Sequence, residues 1–155
     1  MAKEMNANAY QPDRLDRQIL NILLENARST HRDIAKKVGC SLGTVNTRIK
    51  KLEKEGIIQG YSVHVDYERL GYNIEVMIHI KIRRGEFYEL SKKLINDPHV
   101  YLIFDMTGDY DAEVLARFRN RRELDEFVKK LQQYESIAST STKMILNILR
   151  EKFIA

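Results

Sequence analysis

Between Arg28 and Lys54 stand eight cations, Arg28, Arg32, Lys36, Lys37, Arg48, Lys50, Lys51 and Lys54, and only two carboxylates, Asp33 and Glu53. The segment carries +6, whereas the rest of the chain, with 18 basic and 20 acidic residues, carries −2. Guanidinium and ammonium groups at this density suit phosphate oxygens. Interleaved with them are Ser41, Thr44, Asn46 and Thr47, short side chains of the kind that hydrogen-bond base edges. Charge alone also coats any solvated helix face, so the reading depends on geometry. Other chemistries are poorly supplied. The four histidines, His31, His64, His79 and His99, lack metal-ligand spacing, and no glycine-rich phosphate loop is present. Asp105, Asp109 and Asp111 come nearest to a carboxylate cluster, yet one turn without further oxygen ligands is a poor cation site. We expect no catalytic residues, no metal and no cofactor.

The elements around the basic segment read as three helices. Asp13 is a good N-cap after Pro12, and Leu15, Ile19, Ile22 and Leu23 recur at helical spacing to about Asn26. Thr30 with Asp33 makes a capping-box start for a second helix bearing Ile34, Ala35 and Val38, stopped by Gly39. Ser41 caps a third, whose apolar stripe is Leu42, Val45, Ile49 and Leu52 and which Gly56 ends. Two short helices joined by so short a turn are held at a steep angle, the helix-turn-helix arrangement. Burying the stripe leaves Gly43, Thr44, Asn46, Thr47, Arg48, Lys50 and Lys51 outward, short polar groups first and long cations after. That order matches base edges near the helix start and phosphates further on. The DNA-facing set is therefore Arg28, Arg32, Lys36, Ser41, Leu42, Gly43, Thr44, Asn46, Thr47, Arg48, Lys50 and Lys51. Ile57 to Asp66 is rich in β-branched and aromatic residues and reads as a strand, either a wing or a linker.

From Tyr72 the pattern alternates. Ile74, Val76, Ile78, Ile80 and Ile82 share one face of a strand, and Glu75, Met77, His79, Lys81 and Arg83 share the other. After Gly85 a helix carries Phe87, Leu90 and Leu94 and closes at Asn96-Asp97-Pro98. A strand from Val100 to Met106 turns through Thr107-Gly108-Asp109-Tyr110 into another from Asp111 to Phe118. A helix with Leu124, Phe127, Val128 and Leu131 precedes a last strand from about Ile137 to Leu149. The order βαββαβ is ferredoxin-like. Helices cover one face of such a sheet; apolar residues on the other (Met144, Leu146 and Ile148, or Ile145 and Leu149) favour packing against a second copy.

Together these features resemble the Lrp/AsnC (leucine-responsive/asparagine, feast/famine) family of transcription regulators from about Asp13 to Arg150. The carriers are Leu15-Asp16, Ile19-Leu20, Asn26-Ala27-Arg28, Ile34-Ala35, Gly39, Ser41, Val45, Arg48-Ile49, Leu52-Glu53, Gly56-Ile57-Ile58 and Gly60-Tyr61. In the second half they are Thr107-Gly108-Asp109-Tyr110-Asp111 and the pair Thr140 and Thr142. The resemblance implies an α+β fold: a winged-type helix-turn-helix followed by a ferredoxin-like (RAM/ACT-like) domain. It implies dimers assembling into tetramers or octamers, with the segment after Gly56 as a hinge strand. It also implies an amino-acid effector, unidentified, held near Met106, Thr107, Gly108, Asp109, Asp111, Thr140 and Thr142. A Gly turn can offer free N–H groups to a carboxylate, and an Asp can pair with an ammonium.

The expected division is a tail at 1–12, a DNA-binding domain at 13–60, a hinge at 61–72 and an effector and assembly domain at 73–150. No apolar run approaches the ~20 residues of a membrane span, the start has no signal-peptide h-region, and Cys40 stands alone. The expected setting is cytoplasmic, associated with the nucleoid, and the expected partners are duplex DNA, the chain itself and a small molecule, with no membrane. The alternative is an architectural protein that packages DNA without an effector.

Overall fold

The computed structural model describes residues 10–83 and 87–149. The expected N-terminal tail up to residue 9, Gly85 and Arg150 lie outside them. The chain divides into two compact units, with the boundary between His64 and Val65.

The first unit holds α1 (Arg14–Glu25), α2 (His31–Val38) and α3 (Leu42–Lys54). Each start is fixed by a side chain that satisfies an orphan amide: Asp13 accepts from Asp16 N, Thr30 from Asp33 N and Ser41 from Thr44 N. The reciprocal capping box belongs to α1, where Asp16 also accepts from the amide of Asp13. At α2, Asp33 instead accepts from the Thr30 hydroxyl, 2.6 Å away. Gly39 ends α2 at φ +71°, and its amide and that of Cys40 both bond Ala35 O. Ile19, Ile34, Ala35, Val45 and Ile49 form the core between the helices. Leu42 is not part of it; at 43% exposed it faces out, because it is the first residue of α3 and precedes the turn that packs.

Among the described residues the strand expected over Ile57–Asp66 forms no ladder. Ile57 and Ile58 return their amides to Leu52 O, and positions 59–70 are exposed. A β pattern needs a neighbouring strand to bond, and the described residues of this unit are otherwise helices and their turns.

The second unit runs β1 (Ile74–Ile82), α4 (Phe87–Ile95), β2 (Val100–Asp105), β3 (Ala112–Phe118), α5 (Arg121–Gln132) and β4 (Ile137–Ile145). The sheet order is β2-β3-β1-β4, antiparallel throughout, as a ferredoxin-like fold requires. Val76, Ile78, Ile80, Ala112, Val114, Ala116 and Phe118 meet Leu90 and Leu94 of α4 and Phe127 and Leu131 of α5 in one core. Period two in the strands and helical spacing in α4 and α5 put these residues on facing sides.

Register decides what the uncovered face carries. Leu102, Leu115, Met77 and Lys143 form one row across the strands; Phe104, Glu113, His79 and Ser141 form the next. The ladder stops at Ile145, so Leu146, Ile148 and Leu149 lie beyond the strand, and Met144 pairs with Val76 on the helix side. The apolar surface of the open face therefore comes chiefly from β2, where Tyr101, Leu102 and Phe104 are exposed, rather than from the last strand.

Candidate nucleic-acid interface and ligand-binding turn

Helix α3 buries Val45, Ile49 and Leu52, and its outward side carries Ser41, Gly43, Thr47, Lys50 and Lys51 exposed, with Thr44, Asn46 and Arg48 half-buried. Among the described residues no ion pair engages Arg28, Arg32, Lys36 or Lys50, all exposed. Arg32 and Lys36, four apart on α2, share one of its faces.

The short polar groups are not idle. Ser41 Oγ caps Thr44 N and lies 2.9 Å from Thr44 Oγ1, while Thr47 Oγ1 donates to Gly43 O at 3.0 Å. These bonds fix rotamers. Gly43 has no packing reason to be glycine: a Cβ there would meet only Ser41 Oγ, at 3.8 Å.

Arg48 has partners within its own unit. Its Nη1 lies 2.7 Å from Asp13 Oδ2 and 3.3 Å from Asp16 Oδ1, and Asp16 is fully buried. Through Nη1 the guanidinium fastens α3 to α1, because a buried carboxylate needs a charged partner. Asp16 also accepts from the Tyr10 hydroxyl and from Asp13 N. Asp13 is held below the usual carboxylate range by the amide of Asp16 and then by Arg48, and Arg48 is raised by the hydrogen bond to Asp13. Lys51 is partly diverted as well, its Nζ 4.4 Å from the centre of the Tyr10 ring. The signal for this latch was present: Asp16 stands three residues before Ile19 and seven before Leu23, a carboxylate on the apolar stripe.

His31 was also missed. Its Nδ1 lies 2.5 Å from Asn46 Oδ1, joining the start of α2 to the outward side of α3.

In the second unit the turn after β2 is closed by Met106 N bonding Asp111 O at 2.9 Å. Gly108, at φ +119°, adopts a backbone that side chains disfavour, and the space around it is open. Thr107, Gly108 and Asp109 are exposed, and among the described residues the Asp109 carboxylate has no partner. Asp111 differs. Its Oδ2 accepts from Ile82 N at 2.7 Å, where β1 and β4 slip register between Lys81 and Ile82, and its Oδ1 lies 3.5 Å from Lys81 Nζ. That amide, then Lys81, holds the Asp111 carboxyl below its ordinary range. Its carboxylate is bonded within the sheet, whereas that of Asp109 has no partner among the described residues.

Thr140 pairs with Ile80, and Ile80 pairs with Ala112 beside the turn, so one strand lies between them. Thr142 is one row further on, across from Ile78. The turn and the threonines share a region of the sheet but stand two strand spacings apart, roughly 10 Å.

Comparison with known proteins agrees with this architecture. Residues 12–59 match the family described as winged helix-turn-helix DNA-binding, and residues 75–153 match the Lrp/AsnC ligand binding domain. An HTH-type transcriptional regulator of Pyrococcus furiosus is 41% identical over 141 residues, covering 91% of this chain and 95% of its own length. The HTH-type transcriptional regulator FL11 of the same organism is 34% identical over 139 residues, covering 90% and 92%. The structure of E. coli AsnC superposes with a TM-score of 0.86 at 30% identity, covering 94% of this chain and 99% of that one. A helix-turn-helix with a basic outward side, followed by a four-stranded ligand-binding fold, makes this chain a member of the Lrp/AsnC family of transcriptional regulators.

Proposed function

We propose that this regulator binds palindromic operators as a dimer or higher oligomer, placing α3 in the major groove, and that an amino acid or related small molecule modulates it. The observation that carries the DNA reading is the division of α3. One side is sunk in the core, while Gly43, Thr47 and Lys50 are exposed, as are Arg28, Arg32 and Lys36, which no ion pair engages among the described residues. Thr44, Asn46 and Thr47 reach bases; Lys50, Arg28, Arg32 and Lys36 reach phosphates. Arg48 is left out of both groups.

Self-assembly is favoured by the open sheet face. Tyr101, Leu102 and Phe104 are exposed on it; among the described residues the buried His79 nitrogens and Arg117 Nε have no hydrogen bond, although His79 Nδ1 lies 3.4 Å from Glu113 Oε2. The exposed segment at 59–66, rich in β-branched and aromatic residues, offers strand backbone to a second copy. Two copies related by a dyad read half-sites about one helical turn, or a multiple, apart.

For the effector, the free carboxylate of Asp109 and the amides beside Gly108 suit a zwitterion. A transcriptional regulator from Neisseria meningitidis with a TM-score of 0.87 and 23% identity was solved as an L-Met complex, which makes methionine the first candidate to test. The decisive experiment selects duplexes from a random-sequence library at fixed salt, then melts the protein against each amino acid. A specificity ratio near one would sink regulation in favour of packaging, and no melting shift would sink the effector.

A further inference from the structure

We infer that His31 is a positioning residue for sequence readout, holding the amide of Asn46 so that it presents one fixed donor–acceptor pair to an adenine edge. The inference rests on the reading that α3 lies in the major groove. Asn46 is the one planar amide on α3, whose sequence is LGTVNTRIKKLEK. Its hydroxyl-bearing neighbours Ser41, Thr44 and Thr47 are fixed by partners on their own helix, whereas Asn46 is gripped from α2, across 15 residues of sequence.

The grip is firm at its root. His31 is the first residue of α2, directly after the N-cap Thr30, whose hydroxyl is bonded to both the amide and the carboxylate of Asp33. Asn46 Oδ1 only accepts, so His31 Nδ1 carries the hydrogen; the neutral Nδ1–H ring and the imidazolium both meet that demand. A carbonyl oxygen has two lone pairs, and His31 uses one. The other lone pair and the two Nδ2 hydrogens remain for a base. Adenine presents N6–H₂ and N7 together, and an amide matches them with both atoms at once, provided that oxygen and nitrogen keep their places. Without the ring, the amide is free to flip and to change rotamer, and the match becomes one of several states.

The test uses full-length protein and a duplex selected from a random-sequence library, with each base pair then varied at fixed salt. Wild type is expected to prefer adenine at one position per half-site, and Asn46→Ala to lose about 5- to 150-fold discrimination there, the worth of a bidentate contact. His31→Ala is expected to lose most of that preference with its melting temperature and binding to random DNA unchanged. His31→Gln, which keeps a donor, is expected to recover part of it. If Asn46→Ala loses the preference and His31→Ala keeps it, the role of His31 is overturned and the placement of α3 stands. A uniform loss across all sequences in His31→Ala also overturns it. If Asn46→Ala itself keeps the wild-type preference, α3 is not the reader.

Discussion

Arg48 Nη1 lies 3.3 Å from Asp16 Oδ1, so a half-buried cation on the third helix neutralises a fully buried carboxylate on the first. Removing the carboxylate by Asp16→Ala strips the buried member of the latch and the partner of Tyr10, leaving Arg48 with Asp13. We expect a loss of about 2–4 kcal/mol in denaturant melts, reduced from the value for a fully buried pair because water reaches Arg48. A melt within error of wild type would show that the latch does not hold α3.

The same latch separates two cations that sequence treats alike. Lys50→Ala is expected to lower DNA affinity for all sequences and reduce the slope of log affinity against log salt by about 1. Arg48→Ala is expected to lower affinity through loss of stability while leaving that slope unchanged. Titrations at several salt concentrations distinguish them; a flattened slope for Arg48→Ala would place its guanidinium on a phosphate.

Gly43→Ala tests whether glycine is there for the helix or for the partner. The site is exposed and a methyl meets nothing nearer than 3.8 Å, so the helix gains about 0.5–1 kcal/mol from the substitution. DNA affinity is expected to fall nonetheless, because the methyl stands where a duplex approaches. A protein both more stable and equally tight on DNA would leave Gly43 without a role at the interface.

Asp109→Ala and Asp111→Ala should part company. Asp111→Ala removes the acceptor of Ile82 N at the register slip and is expected to lower the melting temperature without any ligand present. Asp109→Ala is expected to melt like wild type and to lose any amino-acid-induced shift. The reverse pattern would exchange the two assignments.

Acid should loosen both units. Asp13 is depressed by the amide of Asp16 and by Arg48. Asp97 is pushed up by burial but held low overall by Lys130, His99 N and the His99 ring. A carboxyl depressed by folding contributes stability that is present above its unfolded value, near 4, and lost as pH falls through its folded value. Melts followed by circular dichroism from about pH 6 to about pH 2 should therefore fall steeply below about pH 4. Asp97→Asn is expected to lessen the fall, and a flat profile would contradict the pairings.

Much of this was legible in one sequence because local signals agreed. Asp13, Thr30 and Ser41 begin helices where their side chains can cap, Gly39 turns the chain at positive φ, and the Ile74–Ile82 alternation marks the strand at the centre of the sheet. Each of these depends on residues a few positions apart. The span from Ile57 to Asp66 has the composition of a strand, but composition carries no information about where its partner lies, and among the described residues it forms no ladder.

The chain's own order of residue types determined the helix-turn-helix, the ferredoxin-like order of elements and the concentration of positive charge around α3. Tertiary structure alone decided which of those charges are free. Arg48 meets Asp13 from 35 positions away, His31 meets Asn46 across 15, and Asp111 meets Ile82 across 29. The physical reason is that a charged or amide group declares its chemistry in sequence but not its partner. Partners are chosen by packing, which brings distant carboxylates, rings and amides within 3 Å or so and so commits one cation to the fold while leaving another to solvent.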